Sequence, residues 1–149
     1  DDNRNKHQIT DAIEFDIDIN SENKSVLVET ISKYLIRDFG NGVIDTLCPG
    51  EGYTHILSAR AYTYPSNNMD RTFTVKLRLE EPLYVEIRGK ECSNLVLDAS
   101  ETIQYLQLEG FNNITRFNFS NFPNLYTLIL CEIKKISCFS NKYFRIRLI

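Results

Sequence analysis

The stretch NITRFNFSNFPNLYTLIL, residues 113–130, sets its apolar side chains in a three-then-two spacing twice: Ile114, Phe117, Phe119, then eleven residues on Leu125, Leu128, Leu130. A strand with one wet face alternates strictly, so the longer first step asks for another geometry. The same i, i+3, i+5 spacing runs through Cys92/Leu95/Leu97, Ile103/Leu106/Leu108, the two triplets above, Ile133/Ile136/Cys138 and Tyr143/Ile146/Leu148. A chain wound as a flattened coil needs an inward residue at each approach and two more along each extended arm. Two such arms make one circuit of about twenty-two residues, with Leu106 and Leu128 on equivalent rungs. The segments between triplets, DASE, EGFNN, SNFPN and FSNK, carry the Asn, Ser, Gly and Pro that turn a chain and satisfy its backbone groups. A plain meander with a strand every eleven residues is the rival arrangement.

Upstream the texture differs. Residues 12–19, AIEFDIDI, alternate Ile13, Phe15, Ile17, Ile19 with Glu14, Asp16, Asp18, the pattern of a strand with one wet face. The segment VLVETISKYLIRDFGNG, residues 26–42, reads either as a strand running into a loop or as a short helix with Ile31, Leu35 and Ile36 on one face. ILSARAYTYP and RTFTVKLRLEEP read as two further strands, separated by turn chemistry at Pro65–Asn68.

The 149 residues suffice for one medium domain or two small ones. Hydrophobic residues at 42% and charged residues at 25% match ordinary globular usage and disfavour disordered, collagenous and membrane-spanning classes. A net charge of −3 lacks the basic field that binds phosphate backbones, so nucleic acid is not an expected partner. No apolar run is long enough for a membrane helix. The opening DDNRNKHQ has neither an initiator Met nor an apolar core of a signal, which is expected of a mature or trimmed chain. Cys48, Cys92, Cys131 and Cys138 form no CxxC pair, and decide neither zinc, disulfide pairing nor compartment.

Residues 114–141, ITRFNFSNFPNLYTLILCEIKKISCFSN, resemble the short leucine-rich repeats of secreted Bacteroidetes proteins, with Phe117, Phe119, Ser120, Asn121, Pro123, Asn124, Leu125 and Leu128 on the L-x-L-S-N-x-P-x-L-x-x-L frame. Ile133, Ile136 and Ser140–Asn141 fall on the next frame, shortened at Cys131–Ile133. RDFGNGVIDT at 37–46 and RAYTYP at 60–65 are similar to the hallmarks of polycystic-kidney-disease (PKD) domains, with Phe39 in place of the usual Trp and Asn41 in place of the usual Asp. The resemblance implies a mainly β protein: an immunoglobulin- or PKD-like β-sandwich over residues 11–90, abutting a short leucine-rich-repeat solenoid over 91–149. It also implies secretion or attachment to the cell envelope, with any lipid anchor outside the quoted chain.

His7 and His55 sit in no recognisable catalytic motif. The acidic row Glu14, Asp16, Asp18 lacks the loop carbonyls that calcium requires, and Gly40, Gly42, Gly50 and Gly52 match no phosphate-cradling pattern. No cofactor, metal or catalytic residue is therefore expected. Cys92 and Cys138 occupy apolar slots of the repeat, and Cys131 falls on the outward parity. N-x-[ST] sequons occur at Asn23, Asn113 and Asn118. What remains is a face. Tyr105 and Gln107 on one turn, Thr127 and Ile129 on the next, and Arg145 and Arg147 on the last are expected on neighbouring rungs about 4.8 Å apart. Their mixture suits an interface that binds a protein or a glycan. A carbohydrate-active enzyme fragment or sensor, using the acidic row or His55, and a structural spacer in an envelope assembly are the alternative readings.

Overall fold

A computed structural model of the chain describes residues 7–112, 114, 117–131 and 145–148. Among the described residues ten strands form: β1 (Asp11–Ile19), β2 (Ser25–Ser32), β3 (Tyr34–Asp38), β4 (Ile44–Leu47), β5 (Ile56–Thr63), β6 (Arg71–Glu80), β7 (Tyr84–Leu97), β8 (Tyr105–Phe111), β9 (Thr127–Cys131) and β10 (Arg145–Leu148). The protein is mainly β, with no α-helix among the described residues. In β1 the residues Ile13, Phe15, Ile17 and Ile19 are buried while Glu14 and Asp18 face water, as their alternation requires. Phe73, Val75, Leu77 and Leu79 do the same in β6. The ambiguous segment 26–42 is extended: Val26, Val28, Thr30 and Ser32 alternate inward along β2, and Leu35 and Arg37 along β3. Ile31 and Ile36 therefore face away from Leu35, and the period of two prevails over the helical reading.

The β2–β3 segment bends at Lys33 and runs antiparallel to a second bent segment, β6–β7. Tyr34 pairs with Glu80 on one side of the bend and Ile31 with Tyr84 on the other. One extra residue at the corner is accommodated by Glu81 at φ 44, whose carboxylate meets Lys33. β1 then lies between β6 and the second half of β7, from Ile17↔Cys92 to Ile13↔Leu97. The sheet thus nearly closes on itself around one apolar cluster that runs from Ile13 to Leu130.

β7 has two sets of partners. Its first half pairs with β2 and, in parallel, with β8, and its second half pairs with β1. The crossing lies between Arg88 and Cys92, where the register slips. A Cβ on Gly110, at φ +83, would stand 2.1 Å from the Gly89 carbonyl oxygen, and one on Gly89 would stand 2.4 Å from Cys92 Sγ. Only hydrogen fits at Gly110, where the obstacle is backbone, whereas a side chain at Gly89 would require the Cys92 thiol to turn away. The expected domain boundary between residues 90 and 91 falls inside this continuous strand.

The C-terminal third stacks in parallel. Tyr84, Tyr105, Thr127 and Arg145 pair in sequence across β7, β8, β9 and β10. Val85, Leu106, Leu128 and Ile146 pair in the next row, so Leu106 lies directly beside Leu128, twenty-two residues on. Ile103/Leu106/Leu108 and Leu125/Leu128/Leu130 are all buried, and so are Ile114, Phe117 and Phe119 between β8 and β9, where Phe117 packs on Phe119 and Phe122. The corners stack as well: Gln104 N donates to Leu83 O at 2.9 Å and Tyr126 N to Gln104 O at 2.8 Å. Ile133, Ile136, Cys138 and Tyr143 lie outside the described residues. The triplet Cys92/Leu95/Leu97 has another origin. It lies antiparallel on β1, and its three-residue step comes from a bulge at Asn94, φ 52.

Candidate functional site on the open face

Paired residues on adjacent strands point to the same side of a sheet. The outward row beside Val85 and Leu106 is therefore Tyr84, Tyr105, Thr127, and the one after it Glu86, Gln107, Ile129. Of the residues expected on this face, Tyr105, Gln107, Thr127 and Ile129 are brought together on adjacent rungs. Arg145 and Arg147 pair by backbone register with Thr127 and Ile129, and their side chains lie outside the described residues.

Sequence reasoning missed the rung that precedes them. Tyr84, Glu86 and Arg88 of β7 stand beside Tyr105, Gln107 and Glu109 of β8. The signal was present, because YVEI at 84–87 repeats as YLQL at 105–108. These six residues form a connected polar cluster on the face. The Tyr84 and Tyr105 rings stack with centroids 4.4 Å apart and an interplanar angle of 11°. The Glu86 carboxylate, in a residue only 3% exposed, accepts from the Tyr84 hydroxyl and from Arg88 Nε. The Tyr105 hydroxyl donates to Gln107 Oε1 at 2.6 Å, and Arg88 Nε lies 3.6 Å from a Glu109 carboxylate oxygen.

Burial and the Glu86 carboxylate hold the Tyr84 phenol far above its ordinary pKa. Burial raises Tyr105 too, against the lowering effect of its hydrogen bond with Tyr84. For Arg88, partial burial opposes the charge, but the hydrogen bond and charge of Glu86 outweigh it and the pKa rises. The raised phenols stay neutral and the guanidinium stays charged at neutral pH, with Glu86 and Gln107 buried among them and each group held in place by its neighbours. Such an array can orient a polar ligand through paired hydrogen bonds.

The other candidate residues lie elsewhere. His7 Nδ1 is 2.8 Å from Glu80 Oε1 and its ring stacks on Tyr34, which ties the start of the described chain to β6 and β3. His55 contacts Thr54 Oγ1 at 2.8 Å and, with Cys48, Tyr53 and Arg60, lines a cavity of about 500 Å³ beside β5. In the acidic row, Asp16 accepts from Thr74 and Asn94, Asp18 from Thr72, and Glu14 faces Lys76 at 4.0 Å. Those bonds, Asn94 first, hold the Asp16 carboxyl below its ordinary pKa. No group of three or more metal-ligating side chains occurs among the described residues.

Cys92 is a buried thiol whose pKa burial pushes up to about 12, and Cys48 is an exposed thiol. Cys131, on the outward parity, is nevertheless buried at the edge of the face, and Cys138 lies outside the described residues. Of the sequons, Asn23 is buried with its amide donating to Asp18 O at 2.6 Å, Asn118 caps Ser120, and Asn113 lies outside the described residues. No helix among the described residues is long and apolar enough to cross a membrane. Comparison with known protein families, with curated proteins and with solved structures returns no match to this chain.

Proposed function

We propose that the chain is a non-enzymatic binding protein of the bacterial cell surface or exterior, which captures a protein or glycan ligand on the open face of a short leucine-rich-repeat coil. The observation that carries this reading is the in-register ladder from Tyr84 and Glu86 through Tyr105 and Gln107 to Thr127 and Ile129. Repeated circuits place chemically different residues at equivalent points, and the resulting extended face is the binding surface of repeat architectures. Circuits of twenty-one and twenty-two residues, an L-x-x-L-x-L core and Asn-bearing corners support the repeat assignment. The Phe39 turn supports the PKD-like part: its ring stacks on Tyr62 at 4.0 Å and its carbonyl accepts from the Tyr64 hydroxyl at 2.9 Å.

The test is a glycan array and a surface-protein pull-down with the wild type and with Tyr105→Ala and Gln107→Ala. Binding that falls at least tenfold in both variants, with circular dichroism unchanged, supports the reading. Ligands retained by both, or turnover in a hydrolase screen that disappears on changing Asp16 or His55, overturns it.

A further inference from the structure

Strands β4 and β5 approach the bend at Lys33 from its two sides, where Leu47 pairs with Leu35 of β3 and Ile56 with Ser32 of β2. Buried Arg37 ties them together. Its Nε and Nη2 donate to the Asp45 carboxylate of β4 at 2.9 and 2.6 Å, and its Nη1 donates to the Arg60 carbonyl of β5 at 2.8 Å. Residues 48–55 connect the two strands, and beside them lies the cavity of about 500 Å³. Leu47, Tyr53, Ile56 and Leu57 supply its apolar walls, and His55 and Arg60 its nitrogen donors. Leu57 and Tyr53 are 79% and 73% exposed, the two most exposed large apolar side chains among the described residues. Apolar surface gathered around one concavity is what a ligand covers. No acid lines the cavity, and the Asp45 carboxylate is taken up by Arg37. The Arg60 guanidinium makes no hydrogen bond or ion pair among the described residues, since only its carbonyl is engaged. With the Thr54 hydroxyl donating to His55 Nδ1 at 2.8 Å, the imidazole proton sits on Nε2 as a second donor.

We propose that this cavity is a second binding site, which takes a small organic acid: a carboxylate carried on an aromatic or branched aliphatic body. The Arg60 guanidinium receives the carboxylate, whose oxygens match its paired N–H groups, and the body lies against Tyr53 and Leu57. Charge and wall chemistry together select this class. A neutral ligand would leave the guanidinium without a countercharge, a cation would be repelled, and a bare inorganic anion would leave the apolar walls uncovered. The volume falls within the range of about 300–1,000 Å³ that holds small molecules. Because Arg37 grips the β5 backbone at Arg60 itself, the guanidinium is presented from a braced strand. None of the lining residues belongs to the Tyr84–Gln107 cluster, so this site stands independently of the ligand reading.

Titration of the isotope-labelled protein with phenylacetate and with isovalerate, each against its neutral amide and against acetate, tests it by NMR. At least one of the two acids should shift resonances of residues 47–60 saturably, and its amide and acetate should bind weaker by about tenfold or more. The bound acid should also slow alkylation of Cys48, an exposed thiol that lines the same cavity. Arg60→Gln keeps the carbonyl that Arg37 holds and removes the charge, so it should weaken the acid by about tenfold or more. Should that variant fail to fold, the comparison of acid with amide in the wild type decides. Absence of a saturable shift in residues 47–60 with either acid overturns the proposal. So does equal affinity for acid and amide, Cys48 alkylation unchanged at saturating acid, or a folded Arg60→Gln protein that binds as the wild type does.

Discussion

At Gly110 one hydrogen atom decides whether β7 can change partners. Its positive φ and the Gly89 carbonyl 2.1 Å from a would-be Cβ leave no space for a side chain. Gly110→Ala should cost on the order of 3 kcal/mol or more, seen as a lower urea midpoint, whereas Gly52→Ala, with nothing within 4 Å of its Cβ, should cost far less. Residues also set the pH response. Tyr84 and Tyr64 are both raised above the ordinary value of 10.0. A raised acid contributes stability that is complete below its unfolded pKa and is lost as pH climbs through the folded one. Stability should therefore fall above about pH 10, with phenolate absorbance from these two tyrosines appearing only as the protein unfolds. Tyr84→Phe should reduce the alkaline loss. At the acid end Asp16, whose pKa is depressed below 3.8, holds stability above that value and loses it as pH falls through its folded pKa. Asp16→Asn should flatten that part of the profile. Buried Cys92 should resist a thiol reagent in the native state, whereas Cys48 reacts at once. Individual burial of this kind was legible for Phe15 and Leu77, whose neighbours alternate, but not for Glu86, an acid that a hydropathy pattern assigns to water.

Elements differ in how plainly their residues announce them. β1 and β6 alternate without interruption over nine and ten residues, and their existence and inward faces follow directly. β2 and β3 were ambiguous because Ile31, Leu35 and Ile36 are compatible with either period, and a bend at Lys33 interrupts the count. β7 deceived for a physical reason. A bulge adds one residue to a period of two, so Cys92/Leu95/Leu97 acquires the three-then-two spacing that the parallel strands β8 and β9 carry with their approaches. Spacing alone cannot separate a bulge from a corner, and Val85 and Ile87, which pair in parallel with Leu106 and Leu108, carry only the ordinary period of two. The stacking of Leu106 on Leu128 can be measured by a double-mutant cycle. Each residue is fully buried, so each change to Ala should cost about 2–5 kcal/mol. Residues in direct contact should depart from additivity by about 0.5 kcal/mol or more, and independent strands of a meander would add.

On the scale of the whole molecule, the apolar cluster passes without a gap from Ile13 and Phe15 through Phe111 to Leu128 and Leu130, with the Phe15 and Phe111 rings 5.2 Å apart. Heat should therefore unfold the chain in one calorimetric transition with matching calorimetric and van't Hoff enthalpies. Two separate peaks would mean that the halves hold themselves up independently. Phe15→Ala, in the first strand, should loosen the C-terminal rungs along with its own surroundings, as amide hydrogen exchange at Leu106 and Leu128 would report. The mainly β character and the recurrence near twenty-two residues were both written in the sequence. The joining of the two regions through one shared strand was not, because it depends on contacts between residues far apart in the chain.

The parallel ladder has a consequence for how such a protein can change over generations. Each level is seated by backbone bonds to the level beside it, at one shared registration. A duplication of one whole repeat would slot between existing levels and leave every pairing above and below intact, lengthening the outward wall by one storey. An insertion of two or three residues within an arm would instead shift a row of side chains from inside to outside. Growth in such a molecule is quantised, and its lineage should vary by entire turns more readily than by single residues.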